Sequence, residues 1–114
     1  MINKLYAGMA IAGITEKMFL DVSSYIAVIS DMVVKNNCYD VAPKLIEGLR
    51  KILSDNTDMI YDAEAKKLLT SYIESYIKLV ESGIDDTEEV MKEAIIKYDE
   101  SMKVMKTYFI GLCQ

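Results

Sequence analysis

The chain has 114 residues, 13 Lys+Arg against 18 Asp+Glu, a net charge of -5, and 52% hydrophobic residues. That is enough chain for one core and too apolar for disorder, so one domain over residues 1–114 is expected. Histidine is absent and Arg50 is the only arginine, which excludes Ser-His-Asp and Cys-His catalysis, His/Cys zinc sites and Glu-x-x-His di-iron bundles.

Apolar residues recur at spacings of 3 and 4 nearly throughout, which is the helical period, and no run alternates strictly enough for a strand. The expected fold is therefore all-α, an antiparallel helical bundle with short loops. It has four helices, or five if the first is broken near residues 17–21.

The N-terminal 14 residues carry one lysine and then ten apolar or small residues. They look superficially like a signal peptide, but Thr15-Glu16-Lys17 follows without a small-x-small cleavage pattern. Ten residues are too few to span a bilayer, which takes about 20. Two stripes run through this region. Ile11, Ile14, Met18, Val22, Tyr25, Ile29 and Met32 form one, while Leu5, Met9 and Ala12 form another at a different angle. The favoured reading is one long helix over 4–35, bent or broken, ended by Asn36-Asn37. Gly8 and Gly13 weaken it relative to Ala, so something must pack closely against them.

A helix over 40–54 follows, with Asp40 as its cap and Pro43 in the first turn, where a missing N–H costs little. Val41, Leu45, Leu49 and Ile52 carry its stripe. Residues 54–58 are a turn by composition. The next helix starts within 59–62 and stops at Gly83, a natural residue just past a helix end. Its stripe is Ala65, Leu69, Tyr72, Tyr76 and Leu79, widened by Leu68, Ile73, Ile77 and Val80, so more than one side is buried.

The last helix, over 87–110, has the sharpest pattern. Met91, Ile95, Tyr98, Met102, Met105, Phe109 and Leu112 are spaced 4, 3, 4, 3, 4, 3, an a/d stripe on one narrow face. Asp86 is placed to cap it, with Glu89 three residues on as the reciprocal partner. Glu88–Lys92, Glu93–Lys97, Asp99–Lys103 and, one helix earlier, Glu74–Lys78 are i, i+4 pairs with the acid first.

No residue group reads as a catalytic, metal or cofactor site. Asp55, Asp58 and Asp62 resemble oxygen ligands for calcium, but Lys66 stands where an EF-hand needs its bidentate Glu. They read as turn and cap residues. Cys38 and Cys113 lie far apart without a C-x-x-C motif, so no disulfide framework is implied. Net charge -5 disfavours nucleic acid. The expected chain is cytoplasmic, with no membrane span and no cofactor.

What remains is a surplus of apolar stripe. Mean hydropathy is slightly positive at +0.13, and the tyrosines outnumber the phenylalanines eight to two. Tyrosines inside stripes are expected at the rim of a core or in an interface, with one end wet. The candidate interaction residues are Tyr72, Tyr76, Met91, Tyr98, Met102, Met105 and Phe109. The expected function is a non-enzymatic protein–protein interaction module that self-associates as a homodimer. The skew toward Ile, Lys and Tyr, with one Arg, one Pro and no Trp, suggests an AT-rich genome, and a small acidic helical chain of this form is expected from a phage, virus or mobile element. The alternative is an inhibitor or immunity-type protein whose acidic surface binds a basic or nucleic-acid-processing partner. A small-ligand binder or enzyme ranks below both.

Overall fold

The computed structural model describes residues 2–85 and 88–113. Among them are five α-helices and no strand: α1 (Ile2–Ala12), α2 (Glu16–Ile29), α3 (Ala42–Asn56), α4 (Ala63–Asp85) and α5 (Glu88–Leu112). A π-helical stretch, Ser30–Lys35, continues α2, and short 3-10 turns, Tyr39–Val41 and Thr57–Met59, flank α3. The all-α bundle read from the sequence is the fold observed. No helix is long and apolar enough among the described residues to cross a membrane.

The first helix is broken, and earlier than residues 17–21. Gly13 takes φ +98°, a left-handed conformation that is strained for any residue with a Cβ. A Cβ there would also come within 2.5 Å of the Met59 carbonyl oxygen. Thr15 then opens α2, its Oγ1 accepting from the Met18 backbone N–H at 3.1 Å, a standard N-cap. The break turns the expected continuous stripe aside. Ile11 is 50% exposed, while Ile14, Met18, Val22 and Ile29 are buried.

Three further expectations are corrected. Asp40 does not cap α3: it lies in the 3-10 turn, and Val41 occupies the N-cap without a side-chain bond, with Pro43 in the first turn. The centre of α3's buried face is Ala42, Ile46, Leu49 and Leu53. Val41, Leu45 and Ile52 are half-buried beside it, because α3 packs against both α2 and α4 and its apolar arc must be wide. The helix α4 runs through Gly83 to Asp85, and Gly83 has no positive φ. Its N-terminus is capped by Asp62, whose Oδ1 accepts from the Ala65 N–H at 2.9 Å. The expected α5 cap, Asp86, and Thr87 lie outside the described residues.

The helices α4 and α5 form an antiparallel hairpin with the most extensive packing in the molecule. On the outer side, α1 lies antiparallel along the C-terminal half of α5. The approach is close at Gly8, where a Cβ would overlap the Phe109 carbonyl. Only glycine allows the two backbones this near. Cys113 Sγ donates to the Lys4 carbonyl at 3.0 Å on the same seam. On the other side, α2 and α3 pair with the Tyr25 ring laid over Gly48. One contiguous core joins residues from α1 to α5. Glu74 reaches Arg50 of α3 at 3.1 Å, while Glu88–Lys92 and Asp99–Lys103 form as expected, at 3.8 and 3.0 Å.

Candidate functional site

The a/d stripe of α5 is covered along only part of its length. A helix rises about 1.5 Å per residue, so the 25 residues of α5 span about 37 Å and the 11 residues of α1 about 16 Å. Where α1 lies, Met105 and Phe109 are fully buried. In the middle, Tyr98 and Met102 are half-buried against the core. Near the start of α5 the same face meets open space: Met91 is 36% and Ile95 48% exposed.

The uncovered end of the seam forms one wall of an apolar cleft of about 190 Å³. Val33 and Val34 from the π-helical stretch and Tyr39 from the 3-10 turn make the opposite wall, and Leu79, Val80 and Gly83 of α4 make the floor. Val34 is 54% exposed. Tyr39 separates this cleft from a wider one of about 510 Å³ between α3 and α4, floored by Ala42 and Ile46 and edged by Glu47, Arg50 and Glu81. Its one cation, Arg50, is engaged by Glu74.

The turn that joins Val34 to Tyr39 within that wall is held by its own hydrogen bonds. Asn37 takes φ +57°, a region asparagine tolerates better than most residues, and so ends the helical run as the sequence implied. Its Oδ1 accepts from the Tyr39 hydroxyl at 3.1 Å. Asn36 Nδ2 donates back to the Asp31 carbonyl at 2.7 Å. Cys38 is exposed at the tip, and both cysteines are free thiols.

Of the seven candidate interaction residues, Met91 alone lies in the cleft wall. Tyr72, Tyr76, Met105 and Phe109 are in the core, and Tyr98 and Met102 border it. Tyr72 and Tyr76 are buried rather than half-wet as expected, while Tyr98 stands half-buried at the rim of the core, where it was expected. Tyr98 stacks on Tyr72, with ring centroids 5.5 Å apart, and tilts against Tyr76 at 5.4 Å. The hydroxyls of Tyr72 and Tyr98 share a hydrogen bond of 3.3 Å. Tyr76 donates to the Ile26 carbonyl at 3.1 Å, so Ser30 Oγ, 2.6 Å away, donates to Tyr76. Burial raises the pKa of both Tyr76 and Tyr98, since a phenolate would lose its hydration there.

Sequence reasoning missed Val34 and Tyr39. The signal available was the a/d stripe, which names Met91 and Ile95 but not the segment that faces them across the cleft. Among the described residues no group of three or more Cys, Asp or Glu side chains converges as metal ligands would. What the cleft offers is apolar area, worth about 25 cal/mol per Å² on burial. No family model, no curated protein and no solved structure matches this chain.

Proposed function

We propose that the chain is a protein–protein interaction module that docks through the uncovered seam of α5 and that its partner is a second copy of itself. The observation that carries this reading is the exposure of Met91 and Ile95 on a stripe whose other half is buried by a helix. An a/d face is shaped to receive another helix, knob into hole, and α1 is too short to supply it along the whole length.

Surface area supports the same reading. The chain exposes 7043 Å², whereas a folded monomer of 12.9 kDa exposes about 6300 Å² by the usual scaling with mass. A two-fold dimer applies the same patch to itself and is the commonest closed solution. With net charge -5 per copy, the association strengthens as added salt screens the repulsion.

Sedimentation equilibrium across the micromolar range tests the proposal. The wild-type chain is expected to weigh twice 12.9 kDa, and Met91→Asp or Ile95→Asp to weigh one unit with helical content intact. A wild-type chain that stays monomeric throughout that range overturns it.

A further inference from the structure

We infer that α1 is an exchangeable arm: the chain straightens at Gly13–Thr15 and seats α1 on the C-terminal half of α5 in a second copy of itself. The inference is independent of docking through Met91 and Ile95, which lie on the other half of α5 and take no part in the exchange.

The stop at the end of α1 is built from a few residues. The Ile14 N–H donates to the Met9 carbonyl at 2.8 Å and the Gly13 N–H to the Ala10 carbonyl at 3.1 Å. With Gly13 left-handed, these are the paired bonds of a Schellman ending. Thr15 then caps α2. The apolar spacing runs against this stop. Ile11, Ile14, Met18, Val22 and Tyr25 stand 3, 4, 4 and 3 apart straight through the break, which is the helical period. The same residues therefore also encode a continuous helix from α1 into α2. In that helix Gly13 needs no positive φ, and the N–H groups around it make regular i→i-4 bonds.

The seat of the arm is made by the rest of the chain, so any copy offers it. Although α2 follows α1 in sequence, α1 packs mainly on α5 and little on α2. Gly8 lies against the Phe109 backbone, and the Lys4 carbonyl accepts from Cys113 at 3.0 Å. The Ala10 carbonyl accepts from the Tyr61 hydroxyl and the Ala12 carbonyl from the Asp62 N–H, both at 3.4 Å. The Tyr6 ring meets Phe19 edge-on at 6.0 Å. The α1 of a second copy remakes every one of these contacts. The balance between closed and exchanged forms is then set by the hinge and by the new surface that exchange covers, which is why such exchange is a low-cost route to a dimer. The hinge carries surface of that kind: Ile11, Met59 and Tyr61 are exposed, and the Met59 carbonyl and the Tyr61 ring both stand against Gly13. Two opened hinges lie side by side about the two-fold axis, where these apolar groups can cover one another.

The test is made in the Met91→Asp background, which removes docking through the open end of α5. Isotopically light and heavy chains are mixed in urea, refolded together at low and at high concentration and separated by size. Their lysine cross-links are then read by mass spectrometry. Lys4 stands beside Cys113, and Lys106 lies about 10 Å further along α5, so a Lys4–Lys106 link reports which α5 holds α1. Light–heavy links of this pair are expected in the dimer fraction, and that fraction grows with refolding concentration. Gly13→Ala is expected to raise the ratio of exchanged dimer to monomer at least tenfold, because a Cβ strains the positive φ and comes within 2.5 Å of the Met59 carbonyl oxygen. Thr15→Ala removes the α2 cap and raises the ratio by less. It decides the matter should Gly13→Ala fail to fold. Gly111→Ala, with open space around it, leaves the ratio unchanged. Dimers that hold only light–light and heavy–heavy links overturn the arm, as do hinge variants no more dimeric than Gly111→Ala. Should the chain with Met91 intact form no dimer beyond the exchanged one, the docking reading falls and the exchange stands.

Discussion

The hydroxyl of Tyr108, near the end of α5, lies 2.9 and 2.8 Å from the two carboxylate oxygens of Asp62, the residue that caps α4. One carboxylate thus satisfies a free N–H at the start of one helix and ties down the last turns of another. The Ala65 N–H bond and then the Tyr108 bond hold the Asp62 carboxyl below its ordinary value of 3.8, because both donate to the charged form. Tyr108 is raised in return, its proton being held by Asp62.

Acid should therefore weaken the latch in a definite window. A group whose folded pKa is depressed contributes stability that is complete above its unfolded value and is lost as pH falls through the folded one. Asp62→Asn keeps a cap oxygen but not the charge. Its Tm is expected to lie below wild type at neutral pH, and the gap to close as pH falls below 3.8. Melting curves of the two proteins, followed by circular dichroism, check this. A constant gap at all pH values would contradict it.

At the alkaline end the sign reverses. Tyr76 and Tyr98 are raised above 10.0 by burial first. A raised group contributes stability that is complete below its unfolded pKa and lost as pH rises through the folded one. Stability should fall as pH climbs past 10.0, and Tyr98→Phe should flatten that fall. Tyrosinate absorbance of the native protein should lag behind that of the chain unfolded in denaturant. Coincident titration curves would show these tyrosines to be solvated.

Two glycines should respond oppositely to alanine. At Gly8 the new Cβ would overlap the Phe109 backbone, which cannot rotate away, so α1 must shift. A loss of about 1–3 kcal/mol is expected, the range for overpacking. At Gly111, within α5, nothing lies within 4 Å of the new Cβ. There Gly111→Ala should stabilise by at most ~1 kcal/mol through helix propensity. Urea midpoints of the two variants check both signs.

Core truncation separates buried from exposed members of the sequence stripes. Leu49 and Leu69 are fully buried, and replacing either with Ala should cost about 2–5 kcal/mol by lost transfer energy and the cavity left behind. The same change at Ile11, half exposed after the helix break, should be within about 0.5 kcal/mol of neutral, as surface substitutions usually are. Equal losses would mean that α1 buries Ile11 in solution.

The helical class, the long α4 and α5 hairpin and the two-sided burial of α4 were legible in the residues alone. Each follows from local spacing: Ala65, Leu69, Tyr72 and Tyr76, or Met91 through Leu112, repeat at the helical period whatever lies beside them. The end at Asn36-Asn37 was legible for the same reason, as a local conformational preference. The break at Gly13 was not, because its glycine is required by the Met59 carbonyl, far along the chain. Nor was the burial of Tyr72 and Tyr76, whose hydroxyls find partners on α5 and α2. Periodicity identifies an apolar face, but whether a neighbour covers it depends on how long that neighbour is and where it crosses. The shortness of α1 and the register of residues 30–35 leave Met91 and Ile95 open beside Val34. The first is settled by the close approach of Gly13 to Met59, residues distant in sequence, which a local pattern does not encode.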